Sequence, residues 1–289
     1  MEVNTFKEKY EYIKDEPING GGYGQIYRIK DKKVKTEYVL KKLRKNDPDL
    51  NIIGTDQESF ENEINFLINV KGTNIGNIID YYSDEDDKYY YFVFEKMDGD
   101  LNNMIIKNKN GMSSNLIRKI FSQLNSGLKI MIKNGKTHLD LKPSNIQFSY
   151  TNDKKTDFII KIGGFELTKN LVSTKTVTNQ GTDLFKAPEI DKGKSSNKCD
   201  LYSIGIILYL LKTGEYIFGK TWDEIKKNKK ENNIKKYTDD DKLNNLIKKL
   251  VVINPHERME WNDYFEDPFF KVNDEDVKES EECKIKNKI

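Results

Sequence analysis

Three features near the start of the chain have the residue types and spacing of a phosphate-binding site. Glycines are concentrated in Ile18–Ile26, where the backbone N–H groups of a glycine-rich hairpin could close over a phosphate chain. Lys41 lies on the next predicted strand, from which its ammonium group could reach back beneath the glycine turn, and Glu63 on the following helix could pair with it. Glu58 and Glu61 lie on the same helix and are alternative partners. Taken alone, the glycine segment is more simply a flexible turn and Lys41 an exposed strand lysine.

A second polar segment, His138–Asn145, places Asp140, Lys142 and Asn145 in one proline-containing loop. A polar loop containing proline could carry these residues by chance, but their order and spacing argue against that. The segment closely resembles the catalytic loop of a protein kinase, and this resemblance implies a site for phosphoryl transfer.

Hydrophobic periodicity predicts a strand-rich first part and a helical second part. Alternating apolar residues predict strands within 17–29, 37–43, 77–82 and 88–94, and a helix is predicted over 56–70. Farther along, a β-hairpin between about 146 and 163 interrupts helices predicted over 101–109, 113–134, 195–212, 221–230 and 241–252. The segment 273–289 is charged, has no apolar stripe and is predicted to be disordered.

The composition argues against several functional classes. Lys and Arg (49) nearly balance Asp and Glu (47), which argues against a nucleic-acid-binding or polybasic membrane surface. Two cysteines, Cys199 and Cys283, are too few for a metal cluster and fit a reduced interior. The N-terminal residues lack the apolar run of a signal peptide, and the longest apolar stretch, Leu201–Leu211, is too short to span a bilayer. We therefore expect an intracellular, cytoplasmic protein without a nucleic-acid partner or a membrane span.

Taken in order, these motifs resemble those of a eukaryotic protein kinase of the Ser/Thr type, from about residue 10 to residue 271. The resemblance implies an α+β fold with a small β-rich N-lobe that holds one main helix, a larger α-helical C-lobe and a nucleotide cleft between them. The expected boundaries are about 10–95 for the N-lobe, 95–100 for the hinge and 101–271 for the C-lobe. The resemblance also implies ATP, Mg²⁺ and a protein substrate or partner.

On the nucleotide side, the resemblance implies that Lys41 would hold the α- and β-phosphates and that Glu63 would orient it. The segment 94–97 looks like the hinge, where the Glu95 carbonyl and Met97 backbone groups would meet an adenine. Asp100 is placed to reach a ribose. The remaining nucleotide-binding positions that the resemblance implies are Asn19, Gly21, Gly24, Ile26, Val39 and Gln147.

On the acceptor side, the resemblance assigns three roles within the catalytic loop. Asp140 would accept the proton of a substrate hydroxyl, Lys142 would neutralise the γ-phosphate, and Asn145 would bind a metal ion. Thr182 lies in a segment similar to the substrate-docking segment and marks a Ser/Thr rather than a Tyr kinase.

Five other residues have architectural roles in the family. His138 would pack against Phe165, Glu189 would form a buried ion pair with Arg258, and Asp200 would hold the catalytic-loop backbone.

The metal motif departs from the family pattern. Gly164–Glu166 stands where the family has Asp-Phe-Gly, so glycine replaces the carboxylate that binds Mg²⁺ and leaves Asn145 almost alone as a ligand. Losing the metal's charge stabilisation costs several kcal/mol, which predicts about a thousandfold loss of rate or more. Glu166 could replace the missing carboxylate, or it could stabilise an inactive arrangement by pairing with Lys41, and we favour the second.

Four further departures affect regulation and the adenine pocket. Leu139 replaces an Arg that grips a phosphorylated activation loop in many kinases, so phosphorylation there should not activate this protein in the usual manner. Asn19 replaces the first loop glycine, a mild change because Asn tolerates positive φ. Val39 narrows the slot above the adenine, and Gln147 puts an amide where an apolar floor is usual.

Three hypotheses follow. The first is a pseudokinase, a kinase-like domain that binds ATP, transfers phosphate poorly and acts in signalling through partners. The second is an active Ser/Thr kinase with atypical metal binding. The third is a scaffold that binds no nucleotide. The Gly-Phe-Glu triplet, which is pseudokinase-like, favours the first over the second, and retention of the residues at 41, 63, 140, 142 and 145 argues against the third.

Overall fold

Strand-forming and helix-forming residues separate along the chain into two units, Met1–Asp98 and Gly99–Ile289. The computed structural model describes residues 6–21, 24–45, 57–83, 88–165, 169–170, 184–219, 221–231, 233–234 and 238–271. Across these ranges, no helix combines the length and the apolar composition needed to cross a membrane.

The first unit is built on a six-stranded antiparallel sheet. The strands follow the order β1-β3-β4-β6-β5, and β2 pairs with β3. The elements are α1 (Phe6–Lys9), β1 (Tyr10–Tyr12), β2 (Asn19–Gly21), β3 (Gly24–Asp31), β4 (Glu37–Arg44), α2 (Gln57–Asn69), β5 (Ile78–Ser83) and β6 (Tyr89–Glu95).

One face of this sheet carries an aromatic core. Phe6 of α1 is buried there and stacks on Tyr91, with ring centroids 4.9 Å apart, and on Tyr10, with centroids 5.6 Å apart. Tyr27, Ile29, Leu40 and Val93 complete the cluster of buried residues. Alternation of side chains along β3, β4 and β6 supplies these residues, so every second position of the three strands faces this core.

The second unit is mainly helical. Its short strands form two small sheets, β10-β9-β7 and β11-β8. The strands are β7 (Gly99–Asp100), β8 (Lys136–Thr137), β9 (Ile146–Tyr150), β10 (Phe158–Ile162) and β11 (Lys169–Asn170). The α-helices are α3 (Leu101–Lys107), α4 (Ser114–Lys133), α5 (Cys199–Thr213), α6 (Trp222–Glu231), α7 (Asp241–Leu250) and α8 (Trp261–Phe265). Single 3₁₀ turns span Pro143–Asn145, Ile190–Lys192 and Pro268–Phe270.

Helix α5 is buried within the second unit and is mostly apolar, with Asp200 and Ser203 as buried polar residues. Its residues from Cys199 to Leu211 are all buried, as expected for a helix without a solvent-facing polar side. The helix ends at Gly214, whose φ of +72° allows the chain to turn at the C-cap. Helix α7 packs beside it and begins at Asp240, whose side chain accepts the Leu243 N–H at 2.9 Å.

The predicted division into a β-rich part and a helical part is confirmed, and each predicted strand or helix has a counterpart. Helix α1 and strand β1 were not predicted, since α1 has only four residues and β1 only three. Neither α1 nor β1 has enough residues to show a hydrophobic period in the sequence. The segment 273–289, predicted to be disordered, lies outside the described residues, and the exact lobe boundaries stay predictions.

Candidate active site

A buried ion pair lies in the first unit. Lys41 Nζ is 3.2 Å from Glu63 Oε1, and the two side chains are only 9% and 8% exposed. The same ammonium lies 5.4 Å from the centroid of the Phe92 ring. The alternative partners are both exposed, and Glu61 accepts a hydrogen bond from Gln57 Nε2 at 2.8 Å. Burial of two charges is costly unless they are paired, so the position of Lys41 is closely set by Glu63.

The glycine hairpin requires glycine at position 24. Gly24 has a φ of +138°, and a Cβ there would lie 2.6 Å from both Leu43 Cδ2 and the Lys42 carbonyl oxygen. Across β2 and β3, Asn19 pairs with Ile26 and Gly21 pairs with Gly24. The tip of the turn, residues 22–23, lies outside the described residues.

The other nucleotide-binding positions predicted in the first unit lie on or beside this sheet. Ile26 is directly opposite Lys41 in the β3–β4 ladder, and Val39 is two residues from Lys41, so all three occupy one face. Glu95 ends β6, where its Oε1 accepts the Asn77 N–H at 3.0 Å. Met97 follows in irregular backbone.

In the second unit, one carboxylate joins the polar residues of the catalytic loop. Asp140 Oδ2 forms an ion pair with Lys142 Nζ at 2.7 Å and accepts a hydrogen bond from Asn145 Nδ2 at 3.0 Å. Asn145 Nδ2 also donates to the Asp140 carbonyl oxygen at 2.8 Å. The three predicted catalytic residues are therefore brought together, with their charges balanced between one carboxylate and one ammonium.

The carboxylate of Asp200, which is 1% exposed, holds the backbone of this loop in place. Its two carboxylate oxygens accept the His138 N–H at 2.7 Å and the Leu139 N–H at 2.8 Å. Burial raises the pKa of Asp200, while the two N–H groups favour the charged form. His138 Nε2 lies 2.8 Å from the Gly163 carbonyl oxygen, and the imidazole is 5.5 Å from the Phe165 ring.

Position 164 has no side chain, and the amide of Asn145 occupies the adjacent space. Gly164 has a φ of +73°, and a Cβ there would lie 2.5 Å from Asn145 Oδ1 and 2.6 Å from Nδ2. No group of three or more His, Cys, Asp or Glu side chains placed to hold a metal occurs among the described residues. Position 164 therefore supplies no side-chain oxygen for Mg²⁺, and the Asn145 amide beside it is bound to Asp140.

Two residues of the second unit that were predicted to bind nucleotide, Asp100 and Gln147, contact neighbouring residues of the fold. Asp100 is the N-cap of α3: its Oδ1 accepts the Asn103 N–H at 3.2 Å, and the Asn103 side chain accepts the Asp100 N–H at 2.9 Å. Gln147 pairs with Asp100 across β7 and β9 and lies against Gly163, 3.1 Å from where a Cβ would be. Glu166 and Thr182 lie outside the described residues.

Arg258 and Glu189 form a buried, bidentate ion pair. Their nitrogen–oxygen distances are 2.7 and 3.0 Å, with side-chain exposures of 0% and 8%. Arg258 also donates to the carbonyl oxygens of Val252 and Lys198, at 2.7 Å each. Cys199 Sγ donates to Glu189 Oε1 at 3.3 Å, a contact that sequence reasoning missed, and burial raises the pKa of this thiol. No sequence motif marks Cys199, because the contact depends on how α5 packs.

A sheet with a buried Lys–Glu pair and a helical unit with an Asp–Lys–Asn loop are the features of a protein kinase domain. The family model described as "Protein kinase domain" matches residues 12–270, so the chain belongs to this family. This match confirms the resemblance to eukaryotic protein kinases and their fold.

Individual relatives agree with the family assignment. The chain is 32% identical over 280 residues to Calcium-dependent protein kinase 4 of Plasmodium falciparum (isolate 3D7), covering 93% of this chain and 50% of that protein. It is 29% identical over 275 residues to Serine/threonine-protein kinase atg1 of Dictyostelium discoideum, covering 92% of this chain and 40% of that protein. The chain thus spans half or less of the length of these curated relatives.

Proposed function

We propose that this chain is a Ser/Thr-kinase-like domain that binds ATP, transfers its γ-phosphate weakly or not at all, and acts in signalling by binding a protein partner. The observation that carries this proposal is at position 164, where glycine provides no carboxylate and the Asn145 amide fills the adjacent space. The amide is engaged with Asp140. The residues present therefore favour nucleotide binding without efficient metal-assisted chemistry.

The expected size of the defect follows from transition-state arithmetic. A bound metal supplies several kcal/mol of charge stabilisation to the transferring phosphoryl group, and each 1.4 kcal/mol is about tenfold in rate. A loss of about a thousandfold or more is therefore expected relative to a kinase with an intact metal site. Phosphate binding would depend on Lys41, which Glu63 holds in place.

An active Ser/Thr kinase is the alternative, with Asp140 as the base and atypical metal binding. The retained pairs Lys41–Glu63 and Asp140–Lys142 support it, since both would serve phosphotransfer in the family. A nucleotide-free scaffold is the second alternative. The Val39 and Gln147 substitutions at the adenine position support that one.

Phosphotransfer and ATP binding, measured on the same variants, separate the three. We expect wild type and Asp140→Asn to show equally low transfer to a Ser/Thr peptide with Mg²⁺, and ATP to raise the Tm of both. Asp153→Asn, in the exposed turn between β9 and β10, is the matched control. Robust transfer that Asp140→Asn abolishes would establish the active kinase. No Tm shift with ATP, with or without Mg²⁺, would establish the scaffold.

Location and specificity stay predictions. We expect an intracellular, cytoplasmic protein, and any transfer that remains should go to Ser or Thr rather than Tyr because of Thr182.

A further inference from the structure

Two consecutive glycines, Gly163 and Gly164, lie against the amide side chains of Gln147 in β9 and Asn145 in the turn before it. A Cβ at Gly163 would lie 3.1 Å from Gln147 Oε1, a tight contact that a flexible side chain can relieve. A Cβ at Gly164 would lie 2.5 Å from Asn145 Oδ1 and 2.6 Å from Nδ2, which is closer than real contacts allow. The second position therefore has no room for a side chain while Asn145 stays where it is.

Asn145 is not free to move aside, because both its amide and its backbone are bound. Its Nδ2 donates to the carbonyl oxygen and to the Oδ2 atom of Asp140. Its own carbonyl oxygen accepts the Gly163 N–H at 2.8 Å. A side chain at 164 would break at least the two amide contacts, which also fix the catalytic carboxylate.

We propose that Gly164 and Asn145 are a coupled pair: glycine at 164 is a positioning residue that lets the Asn145 amide occupy the missing side chain's volume and hold Asp140. Metal binding is therefore hindered at two positions: residue 164 has no carboxylate, and the Asn145 amide fills the space beside it. A carboxylate restored at 164 alone does not restore metal binding. This inference deepens the proposed function, and its consequence for activity rests on that function. The coupling itself is a property of the fold and is measurable without activity.

A double-mutant cycle in thermal stability tests the coupling. Gly135 has a φ of +65°, and no atom lies within 4 Å of the position that a Cβ would take there, so Gly135→Ala measures the cost of positive φ alone. We expect Gly135→Ala to lower the Tm by about 2–4 °C. Gly164→Ala should lower it by roughly 5–10 °C, because it adds the steric conflict with Asn145.

The Asn145→Ala background removes the amide and so distinguishes coupling from backbone strain. In that background, Gly164→Ala should cost no more than Gly135→Ala does in wild type. Equal costs of Gly164→Ala in the two backgrounds would overturn the proposal. If Gly164→Ala does not fold, folding of the double variant supports the coupling, and failure of both variants overturns it.

Gly164→Asp connects the pair to catalysis. We expect this variant to have a lowered Tm and no gain in Mg²⁺-dependent phosphotransfer. Any gain in Mg²⁺-dependent transfer would overturn the claim that a carboxylate at 164 alone does not restore the site, and an unchanged Tm would overturn the coupled pair. Robust wild-type transfer that depends on Asp140 would instead contradict the proposed function and leave the stability cycle as a separate result.

Discussion

At the scale of single residues, Asp200 determines the backbone conformation of the two residues that precede Asp140. Leu139 has a φ of +68°, a conformation that costs energy for a residue with a Cβ. Asp200 accepts the N–H groups of His138 and Leu139, so it holds this backbone in place. The buried carboxylate therefore stabilises a strained segment that an uncharged side chain could not hold equally well.

Asp200→Asn should destabilise the second unit by about 2–4 kcal/mol, since the amide's NH₂ group would face one of two buried N–H donors. Urea denaturation measures this loss. Asp263→Asn, an exposed change on α8, is the control and should have little effect. Similar midpoints for the two variants would contradict the role assigned to Asp200.

At the scale of elements, α1 covers the aromatic face of the first sheet, although it has only four residues. Phe6 is buried between Tyr10 and Tyr91, and the family match begins only at residue 12. A helix this short has no independent stability, so it depends on this packing.

Phe6→Ala should cost about 3–5 kcal/mol, the usual range for removing a buried aromatic side chain. The free energy of unfolding in denaturant measures it, and Phe6→Leu should lose less because it keeps apolar contact. Tyr81→Ala is the control, because Tyr81 is 45% exposed. An equal loss in Phe6→Ala and Tyr81→Ala would show that α1 does not stabilise the sheet.

The β3–β4 hairpin carries a pH-dependent charge cluster. Lys96 and Arg28 lower the pKa of Glu37 from 4.5 to about 2. Because the folded-state pKa is depressed, the stabilisation is present above pH 4.5 and is lost as the pH falls towards about 2. Wild type should therefore exceed Glu37→Gln in Tm at pH 6, and the difference should vanish near pH 2. High salt should reduce it at pH 6, since the side chains are partly exposed. A difference that does not change with pH would contradict this assignment.

At the scale of the whole molecule, long-range ion pairs connect segments that are distant in sequence. Arg258 joins the loop before α8 to Glu189 and to the carbonyl oxygen of Lys198. Removing one member of a buried pair leaves the other charge buried and unpaired, and this unpaired charge accounts for most of the loss in the free energy of unfolding.

Arg258→Met should cost about 3–5 kcal/mol in the free energy of unfolding, measured by denaturant titration. Lys119→Met is the matched control, because the Lys119–Asp157 pair has the same 2.7 Å distance but is exposed, and its loss should be much smaller. Comparable losses would mean that burial does not set the value of the Arg258 pair.

The main helices and strands could be predicted from sequence because their apolar periods span many residues. Short elements such as α1 and β1 could not, since tertiary packing rather than a period stabilises them. Among the site residues, Lys41, Glu63, Asp140, Lys142 and Asn145 were recognisable from order and spacing. The thiol contact of Cys199 and the left-handed Leu139 were not, because they depend on how α5 packs and on a backbone dihedral angle. The α3 cap made by Asp100 is local, since its partner Asn103 lies three residues farther along, and it was missed although that spacing was visible in the sequence.

The sequence by itself determined the family, the two-part division of the chain and the absence of a carboxylate at position 164, since each follows from residue type and order. Only the tertiary structure decided what fills the space beside Gly164. The Asn145 amide lies there and donates to Asp140. The physical reason is that the volume left by a missing side chain is filled by its three-dimensional neighbours, and no local pattern encodes which neighbour that is.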